Sequence, residues 1–437
     1  MQGVSEPASV STKLERIAEL ARQAPKMVLH SLAHHIDPEW MRQAYARTRK
    51  DGARGIDGKS AEDFAEDLDA NLSKLREALM SGTYRAPPVR RVHIPKGNGK
   101  TRPIGVPTFG DKVLQRAVAM GLEEVYEQDF LDCSYGFRRG RSAHQALDAL
   151  WRGLMGMGGG FVVELDIKSF FDTMVHGHLR GFLDQRVRDG VIRRAIDKWL
   201  AAGVLEDGWH HHPSTGTPQG GVISPLLANI YLHEVLDVWF EYTVKPRLHG
   251  RAFMIRYADD AVLAFSSEVD ARRVLQVLPK RFAKYGLTLH PEKTKLVEFR
   301  RPPQDGIKGV GSFDLLGFTH FWARSRKGRW VVKRKTASQR LSRAVRRVWE
   351  WCRDHRHRDV REQHATLRLM IQGHYGYYGI TGNADRLSAF LLAVCRAWRY
   401  WLDRRSQRAK MKWERFQRLL QRHPLPRPRV VHSIYAT

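Results

Sequence analysis

Two apolar stretches of this chain deliver acid at points where a half-buried strand has little use for it. In FVVELDIKSFF (161–171) the alternation predicts a strand on which Val163, Leu165 and Ile167 share one face, so that Glu164 and Asp166 project from the other. In AFMIRYADDAVLAF two strand-like runs meet at Ala258 to Asp260, which places Asp259 and Asp260 at a hairpin tip. A fold that accepts these segments either leaves the acids solvated in turns, where aspartate is common, or gathers them. Gathered carboxylates repel, and a divalent cation is the commonest way to make such a cluster favourable.

The rest of the chain is far from acidic. Its 437 residues carry a formal charge of +28, which favours a polyanionic partner, most often nucleic acid. The charge is regional: residues 321–437 hold 29 Lys and Arg against 7 Asp and Glu, whereas residues 1–320 hold 45 against 39. Three dispersed cysteines form no C-x-x-C pair and argue against a disulfide or zinc framework. No apolar run approaches the roughly 18 residues that span a bilayer, and the first residues are too polar for a signal peptide, so a cytoplasmic protein with no membrane partner is expected.

Periodicity divides the chain. A helical extension is expected over 1–80, broken by the Gly/Asp-rich loop DGARGIDGKS (51–60). Tyr84 to Pro107 reads as a basic hairpin around a Gly-Asn-Gly turn, 111–130 and 141–156 as helices, and 176–202 as further helices. Ser224 suits an N-cap with Pro225 at the first helical position. Beyond 321, RLSRAVRRVWEWC opens a run of three or four basic amphipathic helices, within which most tryptophans belong in the core.

If Asp166, Asp259 and Asp260 do converge, two Mg²⁺ ions about 3.5–4 Å apart would let one activate a 3′-hydroxyl while the other steadies a leaving pyrophosphate. The motifs around them make that reading specific. ARGIDG, RRVHIPKGNGKTRPIGVPT, DKVLQRAV, CSYGFRRGRSAHQAL, ELDIKSFFDTM, GTPQGGVISPLLANIYL, RYADD, GLTLHPEKTK, DLLGF and GHYGYYGITGN, in this order, resemble the bacterial group II intron-encoded reverse transcriptases and maturases over about residues 12–425.

The resemblance implies an α+β right-hand polymerase fold. Fingers and a palm with an antiparallel sheet would occupy 81–320, followed by an all-α basic thumb and maturase region over 321–437. Asp166, Asp259 and Asp260 would be the catalytic, metal-binding triad holding two Mg²⁺. Lys96 and Arg102, with Arg90 beside them, would grip the incoming triphosphate, which a charge-assisted contact favours. Phe170 would exclude a ribose 2′-hydroxyl, and Gln219 would lie against the nascent pair beside Gly220 and Gly221. Lys293 and Lys295 match the basic pair near the active site, with either able to act. Arg334, Arg340, Arg343, Arg346 and Arg347 would contact RNA or primer.

Two departures stand out: His374 occupies the usual tryptophan position in GHYGYY, and Arg139 stands where proline is usual. With no Cys-rich or His-Asn-His module after the thumb motifs, the chain resembles the short members without an endonuclease. The implied partners are intron RNA, an RNA template with DNA primer, dNTPs and target DNA, for reverse transcription, splicing assistance and retrohoming. Alternatives are a noncatalytic RNA-binding splicing factor, a reverse transcriptase recruited to host defence or repair, and another palm enzyme such as a nucleotidyl cyclase.

Overall fold

The computed structural model describes residues 8–97, 100–206, 209–211, 220–306, 311–406 and 410–433. Its N-terminal part is helical for legible reasons. Helix α1 (Ala8–Gln23) buries Val10, Leu14, Ile17 and Ala21 along one stripe. Helix α2 (Pro38–Arg47) is capped by Asp37, whose carboxylate accepts from the Trp40 amide at 2.9 Å. The short α3 (Ala61–Ala65) opens on a capping box made by Ser60 and Asp63, and α4 (Leu68–Ser81) stops at Gly82 in the left-handed conformation.

Strands β1 (Val89–Gly97) and β2 (Lys100–Val106) form the expected antiparallel hairpin. Helix α5 (Phe109–Tyr126) then runs through the interior, and α1, α2 and α4 pack directly on it. The N-terminal helices therefore share one continuous core with the central sheet, so residue 80 is not a packing boundary.

The central sheet follows α6 (Ala143–Met157). It has the order β6-β7-β3-β8, antiparallel throughout, from β3 (Gly159–Leu165), β6 (Ala252–Tyr257), β7 (Asp260–Phe265) and β8 (Lys295–Arg300). Between β3 and β6 lie α7 (Phe170–Thr173), α8 (His176–Asp184), α9 (Gly190–Ala201), β4 (Val204–Glu206), β5 (Trp209–His211) and α10 (Ser224–Leu232). Strands β4 and β5 extend the hairpin into a sheet of order β2-β1-β4-β5. Ser224 is the first helical residue of α10, with Ile223 at the cap position and no side-chain capping bond, so the capping expectation is one residue out. The helix continues through π-helical turns over His233–Asp237 and Trp239–Val244.

Both faces of β3 are covered. Val163 and Leu165 face the large core shared with α11 (Glu268–Lys284), while Val162 lies in a second core built from α6 and a further sheet. The polar face expected from Glu164 and Asp166 thus exists only at the C-terminal end of the strand, where that second layer stops.

The further sheet corrects the all-helical reading of the chain beyond 321. Strands β9 (Ser312–Leu315), β10 (Phe318–Arg324) and β11 (Trp330–Thr336) pair antiparallel in the order β11-β10-β9, straddling that boundary. Phe318, His320 and Trp322 alternate inward on β10, as do Trp330, Val332, Arg334 and Thr336 on β11. The period of two is present, but inward His and Arg disguise it.

Among the described residues four helices follow: α12 (Ser338–Asp354), α13 (Val360–Tyr378), α14 (Ala384–Asp403) and α15 (Trp413–Arg422). Their core holds Cys352, Ile371, Tyr375, Phe390, Trp398 and Phe416, whereas Trp413 stays 42% exposed. His374 is buried there, stacked on Phe390 with centroids 3.9 Å apart, and burial lowers its pKa to about 4. It fills an aromatic slot as a neutral ring. No helix among the described residues is long and apolar enough to cross a membrane.

Candidate active site

The central sheet places the three predicted acids at the same end of neighbouring strands. Asp166 follows the last residue of β3, and Asp260 opens β7 beside it, since Leu165 pairs with Ala261. Asp259 lies in the two-residue turn between β6 and β7, where Tyr257 pairs with Asp260. The carboxyl of Asp260 is pushed up to about 6, first by desolvation and then by the charges of Asp259 and Asp166, against the opposing pull of Arg340 and Lys293. Its side chain still meets solvent, at the rim of a cleft of about 510 Å³.

Lys293 and Lys295 divide their work. The Lys293 Nζ lies 2.9 Å from Oδ2 of Asp166, whereas Lys295 reaches Glu164 Oε1 at 3.3 Å, and burial raises the pKa of Glu164. Lys293 is therefore the one that touches the acid triad. The opposite wall of the cleft comes from Leu316, Gly317, Gln339 and Arg340.

Three carboxylates, one of them raised first by desolvation and then by the charges of the other two, are hard oxygen donors of the kind a divalent cation takes. Among the described residues no three such groups already stand close enough to hold a metal, and Lys293 occupies Asp166. The donor set fits, provided Lys293 gives way.

The turn that carries Asp259 has a strained backbone. Ala258 sits at φ 57°, a left-handed value at the position where glycine is the usual choice in a two-residue hairpin. Arg256, fully buried, holds it there. Its Nη1 donates to the Ala258 carbonyl and to Asn229 Oδ1, both at 3.0 Å, and its Nη2 to Ser134 Oγ at 2.7 Å. Asp237 receives the other side of the fork, Nε at 2.7 Å and Nη2 at 2.5 Å. The π-helical turn of 233–237 contains that aspartate.

Gly136 packs against the same turn: a Cβ there would lie 2.3 Å from the Ala258 nitrogen. Neither Arg256 nor its ring of partners was singled out by sequence reasoning. The available signal was Arg256 itself, a charge inside an apolar strand.

The remaining predicted residues fare variously. Phe170 is 3% exposed and packs edge-on against Tyr231, so it presents no face to a ribose, which corrects its expected role. Phe171, next to it, is half-buried. Arg90 donates twice to the Arg54 carbonyl, at 3.0 and 2.7 Å, and so fastens the 51–60 loop to the hairpin instead of standing free. Lys112 helps by bonding the Ala53 carbonyl at 2.6 Å. Arg102 is exposed on β2 opposite Ile94. The side chain of Lys96, and Gln219 entirely, lie outside the described residues. Arg340, Arg343, Arg346 and Arg347 are exposed on α12, but Arg334 is on β11 and only 4% exposed, which removes it from that helical face.

Residues 94–320 match the family model described as reverse transcriptase (RNA-dependent DNA polymerase). The chain is 39% identical over 250 residues to Protein YkfC of Escherichia coli K12, a match covering 56% of this chain and 65% of that protein. It is 45% identical over 183 residues to the group II intron-encoded protein LtrA of Lactococcus lactis, covering 42% of this chain and 30% of LtrA. A 91 kDa protein in the cob intron of Schizosaccharomyces pombe is 26% identical over 389 residues, covering 74% of this chain and 47% of that protein. The chain thus spans less than two thirds of the length of these relatives. With residues 94–320, more than half of the chain, inside the family match, the chain belongs to the reverse transcriptase (RNA-dependent DNA polymerase) family.

Proposed function

We propose that the protein is an RNA-directed DNA polymerase of the group II intron type, which adds dNTPs to a DNA primer on an RNA template. We propose further that it binds its intron RNA to assist splicing and retrohoming into target DNA, in the cytoplasm. The observation that supports the polymerase reading is the placement of Asp166 and Asp260 on one cleft, with Asp259 in the turn immediately before Asp260.

Two divalent cations bound by these acids would supply charge neutralisation for the attacking 3′-hydroxyl and the leaving pyrophosphate. The chain's own contribution is positional. Arg256 fixes the Ala258 carbonyl and with it the turn that presents Asp259. Lys293 pairs with Oδ2 of Asp166 and must leave before that oxygen can ligate. Arg102 on β2, with Lys96 earlier in the same sequence motif, is the proposed triphosphate grip. Phe171, the more accessible of the adjacent phenylalanines, is the candidate for discrimination against a ribose 2′-hydroxyl. Arg340, Arg343, Arg346 and Arg347 give α12 a basic surface that begins at the cleft, suited to the phosphates of a template-primer duplex.

The test is dNTP incorporation on a DNA-primed RNA template with Mg²⁺, comparing wild type with Asp259→Ala/Asp260→Ala, with intron-RNA binding measured on both. Extension by wild type alone, with equal binding, supports the proposal. Binding by both with extension by neither would make the chain a noncatalytic RNA scaffold.

A further inference from the structure

A buried carboxylate remote from the metal cleft lies in the first turn of α5. Asp111 is 3% exposed, and its Oδ1 accepts from the Tyr84 hydroxyl and from Trp199 Nε1, the latter at 3.2 Å. Trp199 Nε1 also reaches the Tyr84 oxygen, at 2.8 Å. Desolvation lifts the Asp111 carboxyl to about 6 against the pull of these donors, so above that pH it is a carboxylate that can only accept.

That restriction fixes its neighbour. Gln115, one turn further along α5 and 4% exposed, has to offer Asp111 its amide nitrogen, and Nε2 lies 3.1 Å from Oδ2. The carbonyl end is thereby aimed away from Asp111, where Oε1 accepts from the Val222 amide at 2.8 Å and from the Ile223 amide at 3.4 Å. These amides stand just ahead of α10, where a helix supplies no partner of its own. They belong to a segment, 220–223, that follows directly on Gln219 in the chain.

The same segment is pressed onto the hairpin. Gly220 has φ 119°, and a Cβ there would lie 2.6 Å from both the Gly105 carbonyl oxygen and Ile104 Cγ2 on β2. Strand β2 also carries Arg102, so any shift of 220–223 disturbs the strand that bears the proposed triphosphate grip.

We infer that Asp111 and Gln115 are a positioning pair for nucleotide binding: the carboxylate sets the orientation of the Gln115 amide, and that amide hangs the 220–223 segment against β2. Neither residue touches substrate. The nucleotide role rests on the polymerase reading, whereas the anchoring of the segment does not.

The polarity of the bonds supplies the test. Asp111→Asn keeps an acceptor for Tyr84 and Trp199 but turns an NH2 group toward Gln115, which must then rotate and set donor against donor at Val222 and Ile223. In the double variant Asp111→Asn/Gln115→Glu the new asparagine donates to the new glutamate, whose other oxygen accepts from the two amides. Every bond and the net charge are then restored. Gln115→Met removes the acceptor outright, and it decides the matter with the double variant if Asp111→Asn does not fold.

Full-length proteins are compared for dNTP KM and kcat in primer extension on an RNA template, for template-primer Kd, and for amide hydrogen exchange at Val222 and Ile223. Both single variants should raise the dNTP KM on the order of 10-fold, with Kd unchanged and faster exchange at the two amides, and the double variant should return KM and exchange to wild-type values. A defect of folding alone would lower the active fraction, and so kcat, while leaving KM in place. Folded single variants with wild-type KM or wild-type exchange, or a double variant no better than the singles, would overturn the inference. Absence of extension by wild type would instead sink the polymerase reading and take the nucleotide role with it, while exchange still reports on the anchoring.

Discussion

Arg256 and Asp237 meet through a two-pronged ion pair with neither side chain exposed to solvent, and the other nitrogen of the arginine holds the backbone of the turn that carries Asp259. Removing one partner strands a buried charge, so Asp237→Ala should cost about 3–5 kcal/mol of stability. The double variant Arg256→Met/Asp237→Leu should recover much of that loss without recovering catalysis, because the Ala258 carbonyl stays unheld. Chemical denaturation with single-turnover extension measures both; recovery of kcat in the double variant would contradict the positioning role.

Asp260 should set a pH dependence. Between its ordinary value of 3.8 and about 6, the folded protein holds a proton that the unfolded chain releases, so the group favours the fold at low pH and this contribution is lost as pH rises through about 6. Asp260→Asn should therefore raise Tm at pH 7.5 and match wild type near pH 4. A Tm difference that is flat with pH would refute the assignment.

Lys293 and Lys295 should separate in their Mg²⁺ response. Lys293→Met releases Oδ2 of Asp166 and should shift the Mg²⁺ concentration for half-maximal extension downward, while Lys295→Met leaves it unchanged. Magnesium titration of both variants decides which lysine acts.

Gly136→Ala inserts a methyl group into the Ala258 backbone. Displacing the turn by about 1 Å should cost on the order of 10- to 100-fold in kcat, with RNA affinity unaltered in a binding assay.

The two phenylalanines should behave differently. Phe170→Ala should lose about 3–5 kcal/mol of stability through a core cavity, whereas Phe171→Ala should fold normally and incorporate rNTPs more readily. Denaturation and rNTP/dNTP competition test the pair.

What the sequence made legible follows from local rules. Strand alternation and turn position placed Asp166, Asp259 and Asp260, and helical stripes located α1 and the C-terminal bundle, because each depends on neighbours a few residues away. The sheet β9–β11 escaped notice because its inward positions include His320 and Arg334, which polarity patterns count as outward. The burial of Phe170 was not legible because adjacent aromatics look alike in sequence, and its packing against Tyr231 is made by the fold. The ring around Arg256 was out of reach because its partners at 134, 229 and 237 are joined only by the fold.

That ring also has a direction in time. Ser134, Asn229 and Asp237 all precede Arg256 along the chain, so on a ribosome every side chain that clasps the arginine has been made before it emerges. The turn bearing Asp259 is then among the last parts of this cluster to be synthesised, and it arrives at a socket whose side-chain components are already present. A nascent chain stalled before residue 256 holds the socket without the turn.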